Sequence, residues 1–244
     1  MRPPLQPALA GLLAYLGEMG YGDLYVDSIR TPARTAVAPP QQPAAHLAAA
    51  PIPLGGEAAG RASELAALAA AAAGCTRCRL SEGRTKVVFG TGNPAAELMF
   101  VGEGPGAEED RQGLPFVGAA GELLNRIIQA IEKTRDEVYI ANVVKCRPPG
   151  NRDPQPDEMT ACRGYLDKQI ALVRPRVLVA LGKVAAQTLL GNDSPIGRMR
   201  GQWFKVQGIP TMVTYHPAAL LRNPALKRPT WEDMQQVRDF LRTG

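Results

Sequence analysis

Apolar runs alternate with helical patterns along most of the chain. Three runs with few polar positions, at residues 98–101, 138–144 and 177–180, are typical of strands buried on both faces of a sheet. Apolar residues at helical spacing predict helices over residues 119–133, 156–173 and 183–190. Strands over 201–206 and 211–213 and a closing helix over 231–241 complete the pattern. Strands that alternate with helices predict a parallel sheet covered by helices on both faces.

A glycine-rich stretch, GEGPGAEEDRQGLPFVGAAGELL at residues 102–124, follows the first of these strands. Glycine lets the backbone approach a ligand, and ligands bind at the carboxyl ends of strands in parallel sheets. The stretch carries Glu108, Glu109 and Asp110 beside Glu103, and it lacks the GxxxxGK[ST] lysine and a regular GxGxxG. We therefore expect a ligand site that is not a nucleotide phosphate site.

The first quarter of the chain differs in composition. Helical spacing of apolar residues predicts an amphipathic helix over residues 5–20, within an N-terminal region of residues 1–30. Residues 31–60 are rich in Ala, Pro, Gly and Gln, have little to bury and predict a flexible linker. An alanine-rich helix over 62–73 opens the folded domain, residues 61–244, and a short β-like run follows over 85–89.

The 244 residues carry a formal charge of +5, and the isoelectric point is about 9.2. This basic excess fits an anionic partner such as DNA, but it is also common in proteins that need only to be soluble. No apolar run reaches the length of a membrane span, and the first residues lack the pattern of a secretion signal. We therefore expect a monomeric cytoplasmic protein that does not bind membranes.

Four cysteines, Cys75, Cys78, Cys146 and Cys162, lie in the predicted folded domain. The first two form a C-x2-C pair, and the other two flank a proline-rich loop. In a cytoplasmic protein such a set indicates metal or redox chemistry before it indicates disulfides. Four thiolates suit tetrahedral zinc as well as an iron–sulfur cluster, and the spacing does not choose between them.

Three segments carry a resemblance to a known family. They are GEGPG…EED…GxPFVGxAGxLL at residues 102–124, NVVKCRPPGNR at 142–152 and YHP at 215–217. Together with the cysteines they resemble the family 4 uracil-DNA glycosylases, the iron–sulfur branch of that superfamily, over about residues 74–243. The resemblance implies a three-layer α/β/α fold with a central, mainly parallel four-stranded sheet. It also implies that the four cysteines hold a structural [4Fe-4S] cluster.

The implied activity is hydrolysis of the N-glycosidic bond of uracil in single- or double-stranded DNA, which leaves an abasic site for base excision repair. Such an enzyme flips the base out and reads it by stacking and by its Watson–Crick edge. Phe116, in a rigid turn, is the predicted stacking platform. Asn142 can donate to and accept from the O4 and N3 edge of uracil and thus reject cytosine. His216 is assigned a hydrogen bond to uracil O2 that strengthens as negative charge develops.

The acids of the glycine-rich stretch face the positive charge that develops on the sugar. By resemblance, Glu103, Gly104 and Glu109 belong to the pocket. The better-known branch of the superfamily has an Asp in this turn that activates water, and Gly104 stands at that place here. The sequence leaves open whether Glu103, Glu109 or Asn151 positions the water.

A segment that combines apolar and basic residues, LLRNPALKR at 220–228, follows the histidine. An apolar side chain can fill the gap that a flipped base leaves, while cations bind phosphates. The predicted DNA contacts are Leu220, Leu221, Arg222, Lys227 and Arg228, with Lys183 at a helix N-terminus as a further phosphate contact.

Two alternatives were weighed against this interpretation. A neighbouring branch binds DNA covalently through a histidine in an inserted basic loop, but residues 144–149 contain neither the histidine nor an insertion, so we expect turnover. A non-catalytic protein, either an iron–sulfur electron carrier or a zinc-organised nucleic-acid-binding module, would explain the cysteines but not Phe116, Asn142 and His216. The predicted N-terminal helix could dock on a partner protein.

Overall fold

The computed structural model describes residues 56–243. The N-terminal region 1–30, with its predicted helix over 5–20, and residues 31–55 of the predicted linker lie outside the described residues. Within residues 56–243, one mixed sheet has helices on both faces, as the predicted three-layer α/β/α fold requires.

The strands are β1 Thr91–Gly92, β2 Leu98–Gly102, β3 Tyr139–Asn142, β4 Val177–Leu181, β5 Trp203–Val206 and β6 Ile209–Thr214. They form a sheet in the order β1-β3-β2-β4-β6-β5. The four central strands are parallel, and the edge strands β1 and β5 pair antiparallel to their neighbours. The predicted four-stranded parallel sheet is therefore the centre of a larger, six-stranded sheet.

The α-helices are α1 Gly56–Ala73, α2 Leu80–Gly83, α3 Ala107–Gln112, α4 Ala119–Ala130, α5 Pro156–Val173, α6 Lys183–Leu190, α7 Ile196–Met199, α8 Pro217–Arg222 and α9 Lys227–Thr243. Short 3₁₀ turns cover Arg135–Glu137, Pro149–Asn151 and Pro224–Leu226. None of the helices within residues 56–243 combines the length and apolarity needed to cross a bilayer.

The two faces of the sheet bury alternate residues of each strand. In β2, Leu98 and Phe100 belong to a core cluster with residues of α4, α8 and α9, whereas Met99 and Val101 belong to a second cluster with residues of α1, α5 and α6. Every residue of β2, β3 and β4 is buried, which explains why these strands read as apolar runs without alternation.

The predicted β-like run over 85–89 is not a strand. The N–H groups of Thr85 and Lys86 bond to the carboxylate of Asp110 in α3 instead of to a neighbouring strand. The edge of the sheet is formed by β1, which follows this run and pairs with β3.

Some helix bounds also differ from the predictions. Helix α1 begins at Gly56, so residues 56–60 of the predicted linker are helical. Helix α9 begins at Lys227 instead of 231, because Pro229 lies in its first turn, where proline is tolerated. The six-residue helices α3 and α8 were not predicted, because so short a helix shows little periodicity.

Candidate active site

An open cleft of about 520 Å³ lies at the carboxyl edge of the four parallel strands, where ligands bind in such sheets. Each parallel strand contributes to it, because β2 leads into Glu103, β3 ends at Asn142, β4 leads into Gly182 and β6 leads towards His216. The structure brings together the seven residues predicted for catalysis and uracil binding: Glu103, Gly104, Glu109, Phe116, Asn142, Asn151 and His216.

Glu109 holds the turn that contains Phe116. Its Oε1 accepts hydrogen bonds from the backbone N–H groups of Val117 (3.0 Å) and Gly118 (3.1 Å), and its Oε2 accepts one from Gly106 (3.1 Å). These three bonds fix the orientation of the carboxylate and leave about one of its four acceptor sites free. Glu109 therefore positions the turn, and the catalytic role predicted for it stays a prediction.

Phe116 sits in the left-handed region at φ 52°, where a bulky side chain is rare. The following helix comes so close that a side chain on Gly121 would collide with the Phe116 carbonyl. The Phe116 ring lines the cleft, belongs to the core cluster with Leu98, and lies 5.5 Å from the His216 ring between centroids. The predicted platform is thus anchored in the core and faces the predicted catalytic histidine.

Asn142 is 1% exposed and faces the same cleft. Its Oδ1 is a buried acceptor that no donor among the described residues reaches. It lies directly over Gly102, where a Cβ would collide with Oδ1 and come within 2.7 Å of the Phe116 ring. A buried acceptor without a partner costs about 1–3 kcal/mol, so this atom fits a ligand that brings an N–H group.

His216 caps the N-terminus of α8. Its Nδ1 accepts the N–H of Ala218 at 3.1 Å, so a neutral ring carries its proton on Nε2. Burial of the ring, with a contribution from Arg222, lowers its pKa to about 4, although Glu109 opposes the shift. At neutral pH His216 is therefore an uncharged imidazole whose Nε2 is a hydrogen-bond donor. Gly182 is needed beside it, because a Cβ there would lie 2.9 Å from the His216 Cβ.

Glu103 is a partly buried carboxyl group whose neighbours are charged. Burial and the nearby Asp153 raise its pKa to about 7, while Lys183 and Arg222 act in the opposite direction. Asp153, which sequence reasoning missed, lies in the cleft and pairs with Lys183 at 3.4 Å. Its only signal in the sequence is its place at the end of the loop that carries Asn151.

Gly104 stands where the better-known branch has its Asp, and Asn151 is the third residue predicted as a candidate for positioning the water. A Cβ on Gly104 would lie 2.7 Å from Cγ2 of Val144, so the backbone here packs too closely for a side chain without movement. Asn151 has its Oδ1 bonded to Nε of Arg147 at 2.8 Å. The water-positioning role considered for Asn151 stays a prediction.

The predicted DNA contacts differ in whether the structure leaves their side chains accessible. Leu220 is 0% exposed and belongs to the core, so it is not available to DNA, whereas Leu221 is 45% exposed. Arg222 and Lys183 line the cleft. Lys227 is partly buried at the start of α9, and Arg228 is exposed and pairs with Glu232 at 3.3 Å.

The four cysteines line one small apolar cavity beneath the loop between Cys146 and Cys162. Two N–H groups already point at sulfur: the backbone N–H of Lys145 to Cys162 Sγ (3.3 Å) and Nη1 of Arg84 to Cys146 Sγ (3.4 Å). Within residues 56–243, no three Cys, His, Asp or Glu side chains are grouped as one metal ion requires. Four thiols around one cavity are a donor set that suits a metal ion or an iron–sulfur cluster.

Comparison with known proteins agrees with this geometry. The family model of the uracil DNA glycosylase superfamily matches residues 89–235. The chain belongs to this superfamily. The Type-4 uracil-DNA glycosylase of Sulfurisphaera tokodaii is 47% identical over 175 residues, which cover 68% of this chain and 80% of the relative.

Two further relatives define the position of the chain within the uracil DNA glycosylase superfamily. The Type-4 uracil-DNA glycosylase of Thermotoga maritima is 44% identical over 174 residues, covering 69% of this chain and 90% of the relative. The Type-5 uracil-DNA glycosylase of Pyrobaculum aerophilum is 31% identical over 163 residues, covering 60% and 71%. The family resemblance seen in the sequence motifs is thereby confirmed.

Proposed function

We propose that this protein is a monofunctional uracil-DNA glycosylase, which hydrolyses the N-glycosidic bond of a flipped-out uracil in DNA and leaves an abasic site. The observation that carries this proposal is the convergence of an aromatic ring, an unpaired buried amide oxygen and a neutral histidine on one cleft. The names of the similar Type-4 proteins support the same activity. The protein acts in base excision repair as a cytoplasmic monomer.

Asn142 gives the cleft its choice of base. The unpaired Oδ1 accepts the N3–H of uracil, and the amide N–H₂ donates to O4. Cytosine has no hydrogen on N3 and has a donor in place of O4, so it would leave Asn142 facing the wrong groups. Phe116 stacks on the base while Asn142 reads its edge.

His216 stabilises the leaving base. Because its pKa is about 4, the ring is neutral at pH 7 and donates from Nε2 to uracil O2 as negative charge develops on the base. A neutral donor whose other nitrogen is fixed by a backbone N–H keeps its orientation through the reaction. A single donor of this kind contributes about 100- to 1,000-fold to the rate.

Glu103 acts on the sugar side. When ionised, it stabilises the oxocarbenium-like sugar and orients the water that attacks it. Glu109 is engaged by three backbone N–H groups and Oδ1 of Asn151 by Arg147, whereas Glu103 is a partly buried acid of the cleft with a raised pKa, which favours it for this role. Leu221 fills the gap in the duplex, and Lys183, Arg222, Lys227 and Arg228 bind backbone phosphates.

A [4Fe-4S] cluster bound by Cys75, Cys78, Cys146 and Cys162 is part of this proposal. The shared cavity and the N–H groups directed at two sulfur atoms support it. The cluster supplies structure and takes no part in the hydrolysis. The purified protein should contain about four iron and four sulfide per chain; a colourless protein with stoichiometric zinc would contradict the cluster.

The test of the activity is incubation with an oligonucleotide that contains one uracil, followed by alkaline strand scission. We expect scission at the uracil, none in the matched thymine oligonucleotide, and none without the alkaline step. If iron-loaded protein gives no abasic product in single- or double-stranded DNA, the proposed function is wrong.

A further inference from the structure

Glu158 is a fully buried carboxylate that has no part in the reaction described above. It is 0% exposed, yet it lies in the first turn of α5 and has charged partners from the preceding loop and from one distant segment. Arg152 forms two hydrogen bonds with it, at 2.8 and 2.6 Å, and Nε of Arg79 forms a third at 2.9 Å. The N–H of Gln155 donates a fourth at 2.8 Å.

Each arginine belongs to a different functional part of the molecule. Arg79 directly follows Cys78, so it lies in the segment that carries the first cysteine pair. Arg152 lines the cleft, in the loop that also carries Asn151 and Asp153. Glu158 is thus a common partner for the cysteine segment and the cleft loop.

Helix α5 places this carboxylate next to the cysteine site. Glu158 and Cys162 are four residues apart, so they lie on one face of the helix, one turn above the other. Cys162 lines the cysteine cavity, while Glu158 holds the arginines. The segment between Cys146 and Cys162 therefore begins and ends at a cysteine of the cavity, and the Arg152–Glu158 pair ties its loop to helix α5.

We infer that Glu158 is a positioning residue that couples the four-cysteine site to the cleft, by holding Arg79 and Arg152 on one buried carboxylate. Removing Arg79 leaves Glu158 with a missing partner and lets Arg152 reorient, although Arg79 does not line the cleft. The two arginines do not act on the cleft independently, because both donate to Oε1 of the same carboxylate, while Arg152 also donates to Oε2.

A double-mutant cycle on the iron-loaded full chain tests this coupling. Arg79→Met, Arg152→Met and the double variant are compared with the parent for single-turnover uracil excision at saturating and at limiting protein. In each single variant the other arginine still pairs with Glu158, and thermal unfolding of every variant checks that the rates come from folded protein. We expect each single variant to lose more at limiting than at saturating protein, and the double variant to differ from the product of the single effects by about threefold or more.

The same cycle in a Glu158→Gln background identifies the carboxylate as the link. There the arginine effects should multiply independently, a readout that a general loss of stability would not change. The control cycle uses Arg163→Met and Asp167→Asn, an ion pair at 2.7 Å on the same helix, neither of which lines the cleft. Neither change should alter excision.

Independent effects of Arg79 and Arg152 in the parent background would overturn the coupling, whether or not Glu158→Gln yields folded protein. Coupling that persists in Glu158→Gln would overturn the role of the carboxylate. The inference rests on the proposed glycosylase activity, and the two fail separately: a parent protein without excision refutes the activity, whereas an active parent with an additive cycle refutes only the coupling.

Discussion

The pH dependence of excision tests whether Glu103 is the acid that acts on the sugar and water. Its pKa is raised to about 7, mainly by burial and to a smaller extent by the charge of Asp153. A raised pKa means that the carboxyl is protonated, and inactive in this role, below pH 7. With one group of pKa 7, about 9% of the protein is active at pH 6 and about 91% at pH 8, so the rate should rise roughly tenfold across this range.

The histidine of the cleft leaves this window clear. The pKa of His216 is lowered to about 4, so the ring is already neutral throughout pH 6 to 8. His216 should therefore not contribute to the rise. In Glu103→Gln the excision rate should be lower and should lose the rise between pH 6 and 8.

Neighbouring charges provide a second check on the same assignment. Asp153 raises the pKa of Glu103 and Lys183 lowers it. Asp153→Asn should therefore move the midpoint of the pH profile to lower pH, and Lys183→Met should move it to higher pH. The assay is single-turnover excision with saturating protein from pH 5.5 to 8.5, so that DNA binding and product release do not contribute. A tenfold rise that persists in Glu103→Gln, or midpoints that move in the same direction, would refute the assignment.

Four further predictions concern single side chains. Asn142→Asp removes the donor to uracil O4 and should slow uracil excision about 10- to 100-fold. The same assay with a cytosine oligonucleotide measures whether the variant gains cytosine excision. His216→Ala should slow single-turnover cleavage about 100- to 1,000-fold while DNA affinity changes less; the opposite pattern would contradict its role. Leu220→Ala should lower the free energy of unfolding by about 2–5 kcal/mol, whereas Leu221→Ala should leave it within about 0.5 kcal/mol and weaken DNA binding. Glu109→Gln cannot accept from all three backbone donors and should weaken the binding of free uracil about tenfold, with inhibition by uracil as the measurement.

The central strands could be predicted because the sheet is covered on both faces. Residues 98–101 and 177–180 read as apolar runs, and both are buried throughout. The site could be predicted because its residues follow those strands or lie in the glycine-rich stretch. Gly102 and Gly121 are glycines for steric reasons, since side chains there would collide with Asn142 or Phe116. The glycines of this motif thus mark positions where the fold leaves no room for a side chain.

The division of labour among the acids could not be predicted. Glu103 and Glu109 lie in the same glycine-rich stretch, yet Glu109 accepts from three backbone N–H groups and Glu103 lies among charged side chains of three distant segments. The same limit applies to Leu220 and Leu221. In a helix of six residues, a rotation of one position decides which leucine is buried, and so short a helix shows no period from which to read it.

The packing around Gly104 favours the proposed sugar-side role of the acid one residue earlier. A side chain at Gly104 would need Val144 to move, and Val144 is fully buried beside the cysteine-bounded loop. An Asp at this place would therefore require a shift of the Val144 side chain. Glu103 avoids this conflict, and its longer side chain reaches the cleft from a position where the backbone is already fixed by β2 and by a bond from Val144 N–H to its carbonyl. The close packing of position 104 against Val144 thus accounts for the glycine found there instead of an acid.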